Sequence, residues 1–170
     1  MKSRAEQLLE LGQSVWLDDI RRGSLVSGEF DRMVREDGVV GVTSNPTIFQ
    51  QAITGSRDYD QGLQAGIARG LDGVALYEAL AIEDIRMACD RLKAAWERSA
   101  GRDGRVSLEV SPRLARDTAG TVDEARRLHR EVARDNVMIK VPATVEGLPA
   151  IRTLIADGIS VNVTLIFSLE

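Results

Sequence analysis

The chain has 170 residues, is 44% apolar and 28% charged, and carries a formal net charge of −4. This is the balance of an ordinary soluble globular protein, with no basic field for a nucleic-acid partner and no apolar run near the roughly 20 residues of a membrane span. Its one cysteine, Cys89, excludes an internal disulfide and a cysteine-based zinc cluster.

The opening "MKSRAEQLLELG" is charged and amphipathic and lacks a signal peptide's apolar core, so the expected home is a reducing cytoplasm. A first helix is predicted over about residues 2–11, ending at Gly12 in a left-handed position. "SVWLD" (14–18) reads as a strand. Ser27 is expected to cap a short helix reaching about Glu36, and Asp37-Gly38 turns the chain into a second strand, "VVGVT" (39–43). Asn45-Pro46 breaks that strand and starts a helical stretch. Ser56 and Asp72 are the expected caps of further helices, the last reaching about Arg98. "VSLEV" (106–110) is the third strand. Thr121 and Glu124 have capping-box spacing for a helix to about Arg134. "NVMIKVPATVEG" (136–147) supplies the fourth strand, Thr144 is expected to cap another helix, and "ISVNVTLIF" (159–167) is the fifth strand.

Strands separated by helices imply a parallel sheet with helices outside it. Two architectures fit, a doubly wound open sheet and part of a (β/α)₈ barrel. Side chains alternate faces along a strand, so Asp18, Thr43, Glu109, Lys140, Asn162 and Thr164 can be placed. Every strand thus puts a polar group on one face, late in the strand, with Asn45 just beyond the second. Polar groups converging near strand C-terminal ends suit a barrel interior. No Gly-x-Gly-x-x-Gly follows the first strand and there is no P-loop, so a nucleotide fold lacks its signature. The barrel is the better reading.

Lys140 sits in an apolar, β-branched run, where a charged amine is costly to desolvate. Burial disfavours the ammonium form, and a neutral amine attacks carbonyls, so the pattern points to a Schiff-base lysine. The alternative is a buried ion bridge to Glu109 or Asp18. On a sugar, Glu109 could shuttle protons directly or through water held by Thr164, and Asp18 could deprotonate the ketose β-hydroxyl. Asn45 and Asn162 could hold substrate hydroxyls. Asp19 points the other way and is read as structural. His129 is read as a surface residue, Cys89 as helix packing, Trp16 as core filling, and "DEARRLHREVARD" as a solvated face of paired charges.

Five motifs in order, "WLDD" (16–19), "GVTSNPTIF" (41–49), "SLEVSP" (107–112), "MIKVPAT" (138–144) and "NVTLIFS" (162–168), resemble transaldolase, especially the longer bacterial type. The resemblance covers essentially the whole chain. It implies a (β/α)₈ barrel, no metal or other cofactor, and transfer of a dihydroxyacetone unit between sugar phosphates in the pentose phosphate pathway. By position, Lys140 matches the Schiff-base lysine, Asp18 the carboxylate handling the hydroxyl proton, and Glu109 the one acting through the catalytic water. Thr164 matches the threonine that places this water; Asn45, Asn162 and Thr43 match substrate-binding residues.

Residues 1–170 are therefore expected to form one domain, the N-terminal part of a barrel: five strands, their helices and an N-terminal helix. The family's phosphate-binding residues are expected beyond residue 170. Such a piece would expose sheet edges and tend to self-associate, with weak activity at most. Two other functions fit the same residues: a Schiff-base aldolase of the fructose-6-phosphate type, and an inactive remnant that only associates.

Overall fold

The computed structural model describes residues 3–168. The chain forms an α/β fold of five strands in the order β1-β2-β3-β4-β5, that is, in chain order. It divides into two compact units, Met1–Val106 and Ser107–Glu170, with the boundary inside β3 (Arg105–Glu109).

In the first unit, α1 (Arg4–Glu10) begins with a capping box that the sequence reading did not anticipate. The Ser3 hydroxyl accepts from the Glu6 N–H, and the Glu6 carboxylate accepts from the Ser3 N–H. Gly12 has the expected positive φ. The first strand is shorter than "SVWLD" suggests: only Trp16–Leu17 (β1) pairs, parallel with β2 (Gly41–Thr43). The Trp16 indole occupies the space over Gly41, where a Cβ would meet the ring at 2.3 Å. Val39 and Val40 lie outside β2 but are buried, and the Val40 N–H donates to the Val15 carbonyl.

Ser27 is not the expected start of a helix. It is the last residue of α2 (Arg22–Ser27), and Gly28 at φ +84° separates it from α3 (Glu29–Arg32), which continues into a π-helical turn, Met33–Asp37. Gly23 weakens the helical signal of "RRGSLVS", so the earlier helix was not legible. Asn45 caps α4 (Pro46–Gly55) as expected, with Pro46 at the first position. Ser56 closes α4 and does not cap α5 (Asp60–Ala68), because a bend at Arg57 and a turn at Asp58-Tyr59 delay that helix to Asp60. Asp72 caps α6 (Gly73–Arg98), which extends to the predicted end. Its inner face buries Leu80, Ile82, Ile85, Ala88, Cys89 and Leu92, each large apolar residue worth roughly 1.5–3 kcal/mol when fully buried. Phe49 meets Tyr59 and Tyr77 edge to face, at centroid distances of 5.8 and 5.4 Å.

The same unit buries charge. Asp84, fully enclosed on α6, accepts from Arg22 Nε at 2.7 Å and from the Tyr59 hydroxyl at 2.8 Å. The Tyr59 hydroxyl accepts in turn from the Arg22 backbone N–H, and Arg22 Nη2 reaches Glu83 at 2.7 Å. Burial pushes the Asp84 carboxyl above the usual carboxylate range, with Arg22 the main opposing influence.

In the second unit, β4 (Val137–Pro142) pairs in parallel with β5 (Val161–Thr164). Val137, Ile139 and Val141 are buried beneath α7 (Thr118–Val132) and α8 (Gly147–Ala156), which contribute Ala125, Leu128, Ala150 and Leu154. Asp117, not Thr121, caps α7 through the Gly120 N–H. Thr121 is buried and donates to the Leu114 carbonyl, while Glu124 accepts from the Ser111 N–H. The pair with capping-box spacing thus secures the loop after β3, since an aspartate four residues earlier already caps the helix. Thr144 accepts from the Gly147 N–H, as a cap would, one turn before α8. β5 ends at Thr164, well short of Phe167, because Leu165 adopts a left-handed φ of +62° that an extended strand cannot contain.

Among the described residues, no helix is long and apolar enough to cross a membrane.

Candidate active site

Strand register fixes the candidate residues of the second unit. The Val110 N–H donates to the Lys140 carbonyl, tying the end of β3 to β4, and Lys140 is the register partner of Asn162 on β5. Alternation points Lys140 away from buried Ile139 and Val141, and Glu109 away from buried Leu108 and Val110. On that shared face Lys140 Nζ stands 3.5 Å from Glu109 Oε2, with side-chain exposures of 14% and 23%. The amine is thus largely removed from water and held beside a carboxylate that still reaches it. Thr164, the last residue of β5, pairs with Pro142, and its carbonyl accepts from the Ala143 N–H.

The loops beyond β3 and β4 are bolted to each other. Thr144 Oγ1 donates to the Ala115 carbonyl at 2.6 Å, and Thr118 Oγ1 to the Glu146 carbonyl at 2.7 Å. At Gly147 a Cβ would lie 2.1 Å from the Pro142 carbonyl oxygen. Only glycine lets α8 start this close to the strand carrying Lys140. These contacts fix the backbone on which the amine sits, which is what a reactive side chain needs.

In the first unit, the β1–β2 register Leu17↔Val42 lies one residue before Asp18 on one strand and before Thr43 on the other. Asp18 is exposed, while Asp19 is half-buried and pairs with Arg21 at 2.9 Å. Thr43 is half-buried, its hydroxyl donating to the Ser44 carbonyl. Asn45 commits its Oδ1 to the α4 cap, accepting from the Thr47 and Ile48 N–H groups. A ligand contact by this residue would therefore fall to Nδ2.

One polar residue escaped the sequence reading. Ser107, fully buried on β3 and on the same face as Glu109, accepts a 2.9 Å hydrogen bond from Asn162 Nδ2. Its signal was present, a hydroxyl two residues before a strand carboxylate. Among the described residues no three histidine, cysteine, aspartate or glutamate side chains gather as a metal site would require.

Comparison with known proteins decides what this arrangement belongs to. Residues 15–170 match the family model described as transaldolase/fructose-6-phosphate aldolase. The chain belongs to this family. Its curated relatives agree: it is 56% identical over 159 residues to a transaldolase of Thiobacillus denitrificans (strain ATCC 25259 / T1), covering 94% of this chain and 44% of that protein. It is 54% identical over all 170 residues to a transaldolase of Thermobifida fusca (strain YX), 46% of that protein's length. A "Transaldolase 2" of Nostoc sp. (strain PCC 7120 / SAG 25.82 / UTEX 2576) is 48% identical over 164 residues, 96% of this chain and 43% of its own. The chain thus spans less than half the length of these relatives. The transaldolase family is a barrel, and the five strands described above are part of one.

Proposed function

We propose that the protein to which this chain belongs is a transaldolase, and that Lys140 is its Schiff-base residue. The observation carrying this reading is the half-buried Lys140–Glu109 pair, 3.5 Å apart in a chain whose relatives bear that name. The Lys140 amine adds to the ketose carbonyl, giving a carbinolamine. Glu109, working through a water held by Thr164, supplies the proton that lets hydroxide leave as water, and an iminium remains. Asp18 takes the proton from the β-hydroxyl, the adjacent carbon–carbon bond breaks, and its electrons flow to the iminium. The aldose leaves, and a dihydroxyacetone enamine stays on Lys140. Attack of this enamine on an acceptor aldehyde, followed by hydrolysis, completes the transfer. Asn45, Asn162 and Thr43 hold the three-carbon unit.

The substrates in this reading are sedoheptulose 7-phosphate and glyceraldehyde 3-phosphate, exchanging with fructose 6-phosphate and erythrose 4-phosphate. The setting is the cytoplasmic pentose phosphate pathway. The chain forms one domain, a reading supported by β3 running through the boundary between its two units. Exposed Leu165, Ile166 and Phe167 favour self-association of the 170-residue chain.

A second reading, release of dihydroxyacetone by an aldolase, is favoured by the family description, which names both activities. Both are tested by incubating fructose 6-phosphate with and without erythrose 4-phosphate. The enzyme is this chain, alone and fused to the C-terminal remainder of the Thermobifida fusca relative. Sedoheptulose 7-phosphate formed only with acceptor supports transfer. Free dihydroxyacetone without acceptor supports the aldolase. Neither product from either protein refutes both.

A further inference from the structure

We propose that Ser107 is a positioning residue: it turns the Asn162 amide so that the carbonyl oxygen, not the amino group, is offered to the ketone carried by Lys140. The site then selects ligands with a hydroxyl that can donate beside the carbonyl carbon. This rests on the reading that Lys140 forms the adduct.

An asparagine amide has a donor end and an acceptor end of nearly the same shape. Left without a fixed partner, it can meet a hydroxyl, an ether or a carbonyl with whichever end suits. Asn162 is not left so. Its Nδ2 donates to Ser107 Oγ at 2.9 Å, and Ser107 is fully buried, so bulk water cannot replace that partner.

The bond joins β3 to β5 across β4, the strand between them. Neighbouring strands lie about 4.8 Å apart, so both side chains must lean over the face that carries Lys140. Asn162 is the register partner of Lys140, and Ser107 precedes Glu109 by two residues on that same face. One of the two Nδ2 hydrogens is therefore held against β3, which fixes the plane and sense of the amide. Oδ1 then lies at the end of the amide away from Ser107, and in the proposal it is this acceptor that meets a ligand on Lys140. An acceptor there rewards a hydroxyl hydrogen and gives nothing to an ether oxygen.

Two probes separate these ligands. Dihydroxyacetone can donate from its hydroxyls; 1,3-dimethoxyacetone has the same ketone and oxygens but no hydrogen to donate. Borohydride trapping of each on Lys140, read by peptide mass spectrometry, gives a preference ratio. The wild-type chain is expected to favour dihydroxyacetone, and Ser107→Ala to lower that ratio about tenfold, the worth of one oriented hydrogen bond. Ser107→Cys keeps the shape with a weak acceptor and is expected to fall between, so it carries the test if the alanine variant does not fold. A merely structural serine would lower labelling by both ketones equally and leave the ratio unchanged, which would overturn the proposal.

A second readout needs no adduct. In the unliganded wild-type chain, the Asn162 side-chain NH₂ should show a nuclear Overhauser contact to the Ser107 β-protons. Its absence overturns the proposal whatever the labelling does. Should neither ketone label Lys140, in this chain or in its fusion to the C-terminal remainder of the Thermobifida fusca relative, while that contact is seen, the Schiff-base reading fails and the proposed selectivity falls with it.

Discussion

Arg22 and Lys140 are both cations set among apolar side chains, and both face a carboxylate, yet their surroundings differ in bond length and exposure. Around Arg22 two charge-assisted bonds of 2.7 Å lead to Asp84 and Glu83, the Tyr59 ring packs 4.8 Å from the guanidinium, and Asp84 is wholly enclosed. Glu109 stands 3.5 Å from Lys140, and both side chains keep some access to solvent. A network satisfied at this level is costly to disturb and has little left to offer a ligand. A longer, partly open pair can exchange its partner for a substrate without first breaking a fold. Charge buried in a sheet-and-helix protein therefore does not itself mark chemistry; the length and reach of its bonds do.

Removing each cation's chemistry separately sharpens the contrast. Lys140→Met should abolish labelling by any ketone and borohydride while shifting the urea midpoint little, since the Glu109 it leaves behind still touches water. Glu109→Gln keeps the shape but cannot move protons. Adduct formation on Lys140 should slow by about 10²-fold or more, as expected for losing an acid–base group, with the site of labelling unchanged in stopped-time trapping. Asp84→Ala should do the opposite. Urea unfolding should report a loss of about 3–5 kcal/mol, because an ionised guanidinium is left short of its partner.

Tyr59→Phe is the smallest break. It removes the hydroxyl that joins Arg22 to Asp84 and should cost about 1–3 kcal/mol. Burial pushes the Tyr59 phenol well above its ordinary value. The folded chain thus holds this proton more tightly than the unfolded one, and the linked stability is complete below about pH 10 and lost as pH rises beyond it. Denaturant titrations above pH 10 should show this alkaline decline in the wild type and a flatter one in Tyr59→Phe.

Much of the sheet could be read from the chain because its signals are local. Asn45-Pro46 both ends a strand and caps a helix, and Asp72 sits before 26 residues of sustained helix. Lys140 stands out because alternation in "VMIKVP" leaves one charged residue among β-branched neighbours. What failed were competitions between neighbours. Thr121 and Glu124 have the spacing of a cap, but Asp117 lies nearer the true start, and Gly28 splits what a scan for caps would join. The Arg22–Tyr59–Asp84 network was invisible because its members stand 37 and 25 residues apart in sequence, and no spacing rule connects them. Ser107 was overlooked for a related reason: its meaning depends on a partner 55 residues later.

The central claim is that Lys140 is the nucleophile, and borohydride trapping with fructose 6-phosphate tests it most directly. The chain contains only two other lysines, Lys2 and Lys93, and Lys93 is exposed on α6 beside Glu97, so the label has an internal control. A reduced three-carbon adduct on the Lys140 peptide, absent from Lys93 and from Lys140→Met, is the predicted result. Labelling spread over the lysines, or no label on Lys140 either in this chain or in its fusion to the Thermobifida fusca remainder, would leave Lys140 as a partner in an ion pair and contradict the account.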